Sequence, residues 1–270
     1  MKKAKRLRVL QIIDSLDAGG GERMAVNIAN HIQPHIGFSG LMATRKSGIL
    51  QEQLSPSVDF ICVHKKKKLD VSAINKALEF IKKHQVTHLH AHATSFFFAF
   101  LLKILKPGLQ LVWHDHHGNR PNEKGLNNKV IKSFSLSFDH VIACSQPLYD
   151  WAKNNLYTNK INIIGNFVVP VQKSKVKMHP KAYIVCVANL RSPKDHFSLI
   201  KAFSIIKDKF DIDLLLIGED RKDDYSLKVK KLIEKSNLQD SIHIKGQVGN
   251  VGDYLSQAKL GLLNSKVEGL

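Results

Sequence analysis

Along the whole chain, apolar runs of strand length alternate with stretches whose apolar residues recur at helical spacing. "RVLQII" reads as a strand and leads into a glycine-rich loop. "ERMAVNIANHI" then sets Met24, Ile28, Ala29 and Ile32 on one helical face. "FSGLMAT" and "VDFICV" are strands, and "SAINKALEFIKKH" is an amphipathic helix with Ile74, Leu78 and Ile81 inward. "VTHLHAH" is a strand, "SFFFAFLLKIL" a nearly all-apolar helix, and "LQLVW" a strand followed by a long loop, "HDHHGNRPNEKGLNN". "HVIACS", the helix "QPLYDWAKNN" with its proline in the first turn, and the strand "KINIIGNFV" complete this half.

At "VPVQKSKVKMHPK" the alternation stops. The segment is basic, carries two prolines and has no period, so residues 169–182 read as an interdomain linker. The pattern then restarts through "AYIVCVA", "HFSLIKAFSIIKDKF", "DLLLIG", "DDYSLKVKKLIEKSN", "SIHIKG", "VGDYLSQA" and "LGLLN". Continuous apolar strands between helices mean parallel sheets covered on both faces. The predicted fold is α/β, with two doubly wound Rossmann-like domains over residues 1–168 and 183–270. Ligands of such sheets sit beyond the carboxyl ends of the strands, so the loops after strands carry the chemistry.

Composition sharpens this picture in three places. The 270 residues carry 41 Lys and Arg against 23 Asp and Glu, a net charge of +18, which implies anionic partners. No aromatic–basic nucleic-acid motif accompanies the charge, so nucleic acid is not expected as a partner. The run Lys65–Lys68 reads either as a solvated loop or as a contact to an anionic membrane surface. Cys62, Cys144 and Cys186 lie far apart inside apolar runs, as buried thiols of a reducing compartment do. The apolar run after the basic start is interrupted by Asp14, and "FFFAFLLKIL" is too short to span a bilayer, so a cytoplasmic location is expected, peripheral to the inner face of a membrane at most.

Three loops offer chemistry. "DSLDAGGGERM" follows the first strand, and Gly20 and Gly21 let the backbone of a helix N-terminus approach an anion such as a phosphate. A dinucleotide fingerprint would need a third glycine where Met24 stands, and the second strand ends in Arg45 rather than an acidic residue, which leaves open only a dinucleotide whose extra phosphate that arginine could meet, as in NADP. "HLHAHATS" sets His88, His90 and His92 on one side of a strand, and "WHDHHG" adds His114, Asp115, His116 and His117. Such clusters can line a ligand site, or can hold a metal in a hydrolase. "ANLRSPKDH" places Arg191 and Lys194 ahead of a helix, where a forked contact and a point charge suit a diphosphate.

Taken in order, "GGGER", the histidine after "LVW", "VIACS", "IIGNFV", "ANLRSPKDHFSLIKAF", "LLLIGED" and "IKGQVGNVGDYLSQAKLGLLNSKVEGL" resemble the retaining, nucleotide-sugar-dependent glycosyltransferases of GT-B fold, family four or glycosyl transferases group 1. The resemblance covers essentially the whole chain. It implies a sugar moved from a nucleotide-diphosphate donor to a glycan or lipid-linked acceptor, without a metal or other cofactor. It places Gly20, Gly21, Arg191 and Lys194 on the donor diphosphate. His114 becomes the catalytic histidine beside the transferred sugar, with His116 and His117 as neighbours that could take that place. Glu268 matches the first glutamate of a Glu-x7-Glu motif that touches sugar hydroxyls. The sequence departs from the family in "ANL" where Gly-Arg-Leu is usual, and the second glutamate would fall beyond Leu270. The expectation is a carboxyl-terminal domain lacking its last elements, and a catalytically silent fragment is the alternative reading. A metal-dependent hydrolase built on the histidines is a further one.

Overall fold

A computed structural model describes residues 7–122, 126–169 and 176–266. Residues 170–175 of the expected linker and Glu268 lie outside the described residues. The chain divides into two compact units, parting between Val168 and Val169.

The first unit carries a seven-stranded sheet of β1 (Arg8–Ser15), β2 (Phe38–Lys46), β3 (Asp59–Cys62), β4 (His88–His92), β5 (Gln110–Asp115), β6 (His140–Ala143) and β7 (Ile161–Ile163). Their order is β3-β2-β1-β4-β5-β6-β7, and every pair is parallel. Helices α1 (Gly20–Ile32), α2 (Val71–Lys83), α3 (Phe96–Leu105), α4 (Leu126–Phe134) and α5 (Gln146–Asn155) make the crossovers. Period two sorts the strand side chains. Leu10, Ile12, Leu89, Ala91, Leu111 and Trp113 join one large core with α2 and α3 residues such as Ile81, Phe98 and Leu102. Ile13 and Leu41 pack on the opposite face with Ala25, Val26 and Ala29 of α1. Gln11, His90, His92 and His114 share the parity of Ile13, so these four polar residues lie on the α1 side.

Two local expectations change. α1 buries Ala25 and Val26 beside Met24 and Ala29, while Ile28 is only half-buried, so its inward face is rotated from the predicted one. The long loop after β5 is shorter than expected, because His114 and Asp115 still belong to the strand and α4 begins at Leu126. α4 escapes pattern reading because, among its described side chains, Ile131 alone is a deeply buried apolar residue, with Val130 exposed.

The second unit has β8 (Tyr183–Val187), β9 (Asp213–Ile217), β10 (Ile242–Gly246) and β11 (Leu260–Leu262) in the order β10-β9-β8-β11, again all parallel. α6 (His196–Ile206) and α7 (Asp224–Lys235) cover one face through Ile200, Phe203, Val229 and Ile233. α8 (Val251–Gln257) supports the other beside Val185 and Leu215. Asp223 caps α7 by accepting from the Ser226 amide at 2.9 Å. β11 is an edge strand with Leu260 exposed. No helix among the described residues is long and apolar enough to cross a membrane.

Candidate functional site

In the first unit His90 and His92 of β4, His114 of β5 and His116 just beyond it stack into one array at the carboxyl edge of the sheet, whereas His88, at the amino end of β4, lies 2.8 Å from Thr87 Oγ1 instead. His92 faces His114 in register, and His90 lies two residues back on the same side. The His92 and His116 rings stack at 5.2 Å, His90 and His114 at 5.3 Å. His92 Nε2 is 2.8 Å from Gln11 Oε1, and His92 Nδ1 is 2.9 Å from His116 Nε2. His90 Nε2 and His114 Nδ1 are 3.3 Å apart.

Burial keeps these imidazoles neutral. It lowers His90 to about 3, with the His116 charge adding to the effect. It lowers His116 to about 4 against the opposing pull of Asp115. His92 and His114 are pushed well down for the same reason. Neutrality gives one chain a direction. The Gln11 carbonyl oxygen must accept, so His92 Nε2–H donates to it, and His92 Nδ1 accepts from His116 Nε2–H. His116 Nδ1 is thereby left as a buried lone pair.

Gly21 lies directly over this array. A Cβ placed there would sit 3.5 Å from the His116 ring. Gly19 precedes α1 without a side-chain acceptor, so the first turn has no side-chain cap where Gly20 and Gly21 begin the helix. The structure therefore brings Gly21 beside His116, whose ring lies 4.0 Å from that of the buried His114, while a Cβ at Gly20 would meet nothing within 4 Å. His117 is exposed. Asp115 points away from the array into a buried ion pair with Arg120, whose Nη2 donates to Asp115 Oδ1 at 2.9 Å while its Nε donates to Oδ2.

In the second unit, Arg191 precedes and Lys194 ends a short 3-10 turn (Ser192–Lys194) between β8 and α6. Asp195 adopts φ 44° as the residue before α6, and no side chain caps that helix. The loops around it are tied together. Asn189 Oδ1 accepts from the Glu219 amide at 2.9 Å, and the Leu190 amide donates to the Glu219 carbonyl at 2.9 Å. Asn264, after β11, donates Nδ2–H to the Asp195 carbonyl at 2.7 Å, and the Lys266 amide donates to Pro193 at 2.8 Å. Arg191 is exposed and Lys194 half-buried. Gly218, after β9, is demanded by close approach: at φ 157° a Cβ would meet the Ala188 carbonyl oxygen at 2.2 Å.

Among the described residues, the buried side-chain polar atoms without a hydrogen-bond partner in the protein fall into two groups. Gln11 Nε2, His114 Nε2 and His116 Nδ1 belong to the array under Gly21. His196 Nε2, Asn264 Oδ1 and Ser265 Oγ surround the Asp195 turn. An unsatisfied buried polar group costs about 1–3 kcal/mol, so a water or ligand that reached either group would recover part of that cost. Sequence reasoning missed Gln11, His196, Asn264 and Ser265. The available signal was a glutamine inside the apolar run "VLQII", an unusual residue for a strand buried on both faces.

The donor set of the first unit also bears on metal binding. Nitrogen atoms of His90, His92 and His114 lie within 4.8 Å of one another. Both nitrogens of His92 are engaged by Gln11 and His116, so a metal there would have to break one of those bonds.

A model of the family described as Glycosyltransferase Family 4 matches residues 18–171, and one described as Glycosyl transferases group 1 matches residues 170–270. The capsular polysaccharide biosynthesis glycosyltransferase CapH of Staphylococcus aureus is 22% identical, over 98% of this chain and 76% of CapH. The crystal structure of Anabaena HepE in complex with UDP and glucose matches with a TM-score of 0.75 at 16% identity, over 96% of this chain and 74% of HepE. A variant of S. aureus TarM in complex with fondaparinux, α-GlcNAc-glycerol and UDP matches with a TM-score of 0.73 at 13% identity, over 97% of this chain and 82% of TarM. At these identities the structural likeness carries the fold, two Rossmann-like units of the GT-B class.

Proposed function

The chain belongs to glycosyltransferase family 4, and from that premise we propose that it moves a sugar from a nucleoside-diphosphate donor to a glycan or lipid-linked acceptor with retention of configuration. The observation that carries the reading is the pairing of two sets of unpartnered buried polar atoms with the two loops that resemble the family's donor motifs.

In the second unit, Arg191 and Lys194 neutralise the donor diphosphate at the uncapped start of α6. The charge that grows as the diphosphate leaves is met by fixed cations and helix amides, so the reading requires no metal. Ser265 Oγ and Asn264 Oδ1 offer a donor or acceptor to the same ligand. In the first unit, Gly20 and Gly21 present first-turn amides to phosphate oxygens. The His114–His116 pair contacts the transferred sugar. The lone pair of His116 Nδ1 accepts from a sugar hydroxyl and Gln11 Nε2 donates to one. Glu268 takes a further sugar hydroxyl, as the sequence resemblance implies.

The named relatives support the substrate classes: HepE is bound to UDP and glucose, TarM to UDP and glycan-like ligands, and CapH acts in capsular polysaccharide biosynthesis. A cell-envelope glycan acceptor follows for this chain. The exposed Lys66, Lys67 and Lys68 support docking of a cytoplasmic enzyme on an anionic membrane surface. The test is product analysis by NMR with UDP-, GDP- and ADP-sugars and cell-envelope glycan acceptors. Transfer with the anomeric configuration of the donor is expected. Inversion would overturn the stereochemical reading, and consumption of no donor would overturn the activity.

A further inference from the structure

The second unit holds a cluster that the transferase reading does not use, at the amino edge of its sheet and so at the opposite end from Arg191 and Lys194. His179 precedes β8, Asp213 is the first residue of β9, and His243 is the second residue of β10. His179 Nε2 lies 2.6 Å from Asp213 Oδ2, and His243 Nε2 lies 3.1 Å from the same oxygen. The two imidazole rings are 5.0 Å apart, and His179 sits edge-on to Tyr183 at 5.7 Å. His179 and Asp213 are buried, whereas His243 is 30% exposed at its side chain.

Two imidazoles that only needed a carboxylate acceptor could use its separate oxygens. Here both nitrogens turn to one oxygen, so three ligand atoms of metal-binding type converge on one point. A tetrahedral zinc site with bonds of about 2.0–2.2 Å holds its ligand atoms about 3.3 Å apart. The His243–Asp213 separation already fits, and His179 has to move outward by about 0.7 Å. To ligate a metal, each imidazole must present Nε2 without its proton, which moves to Nδ1 or is released to solvent. An open depression lined by Lys181, Asp211, Asp213 and Ser241 gives an ion a way in on the Asp213 side.

We propose that His179, Asp213 and His243 form a zinc site with a fourth position left to water, which clamps the segment leading into β8 onto β9 and β10. Two nitrogens and one carboxylate oxygen suit zinc over the oxygen-seeking magnesium and calcium. The site is independent of the transferase reading and lies at the opposite edge of this sheet from Arg191 and Lys194.

The test is equilibrium dialysis of the whole chain against Zn²⁺ with metal analysis, alongside Co²⁺ as a spectroscopic probe. One equivalent of zinc is expected, together with a visible Co²⁺ spectrum of a four-coordinate site. Affinity should fall at least about tenfold in Asp213→Asn and in His243→Gln. His243 is partly exposed, so its variant keeps the fold if Asp213→Asn does not. Zinc should raise the melting temperature of the wild type and not of His243→Gln. Absence of stoichiometric zinc overturns the proposal. So does binding that persists in both variants and disappears in His90→Gln, which would move the metal to the other histidine cluster.

Discussion

Replacing Arg120 by methionine isolates the interaction that ties the loop after β5 to the end of that strand. Arg120 and Asp115 are 6% and 2% exposed, and two parallel N–H donors join them. The guanidinium also lies 5.4 Å from the Trp113 ring and 5.3 Å from the Trp151 ring. Methionine keeps most of the aliphatic stem but leaves the Asp115 charge without its partner. Removing one member of a buried pair costs about 3–5 kcal/mol, and the lost cation–π contacts fall within that figure at about 1 kcal/mol each. We expect Arg120→Met to cost about 3 kcal/mol, because the Asp115 carboxylate retains the His117 amide at 3.0 Å. For a unit of this size that is a fall of roughly 6–12 °C in melting temperature.

The assay is built into the molecule. The chain has 2 tryptophans, Trp113 and Trp151, and both flank Arg120, so intrinsic fluorescence during urea unfolding reports the first unit alone. The double variant Asp115→Asn with Arg120→Met removes the stranded charge and should recover at least half of the loss. A loss below about 1 kcal/mol in the single variant, or no recovery in the double, would refute the view that this pair is a buried, mutually dependent unit.

Three further outcomes follow. Acid should unfold the first unit early: His90 and His116 titrate near 3 and 4 when folded but near 6.5 when unfolded, so the unfolded chain binds more protons below pH 6.5 and stability falls as pH drops from there toward 4. His90 alone contributes roughly 2 kcal/mol of that loss at pH 5, and His90→Gln should flatten the fluorescence-monitored pH profile; an unchanged profile contradicts the neutral array. Gly218→Ala forces a Cβ into the Ala188 carbonyl at a left-handed φ, and should abolish the cooperative melting of the second unit seen by circular dichroism. Asp223→Ala removes the α7 cap and should cost about 1 kcal/mol in the same melt, with recovery in Asp223→Ser.

The two-unit α/β architecture was legible because largely apolar runs of strand length alternate with amphipathic or wholly apolar helical segments through both units, α4 excepted. The carboxyl-edge rule then pointed at Gly20, Gly21, Arg191 and Lys194 from strand ends alone. What stayed hidden depends on register between distant strands. Gln11 and His92 are 81 residues apart and meet only because β1 pairs with β4. Parity showed that His90 and His92 share a face, but not that His116, beyond the end of β5, would fold back beside Gly21 with its Nδ1 unpartnered. Asn264 was likewise invisible, since its significance lies in a hydrogen bond to a turn 69 residues away.

The central claim is a donor site that recognises a nucleoside diphosphate through Arg191 and Lys194. Isothermal titration of the whole chain with UDP, GDP and ADP tests it most directly. The account predicts saturable one-to-one binding of at least one of the three, weakened about ten- to a hundredfold by Arg191→Ala and by Lys194→Ala. Binding of none of them, or binding indifferent to both substitutions, would contradict it.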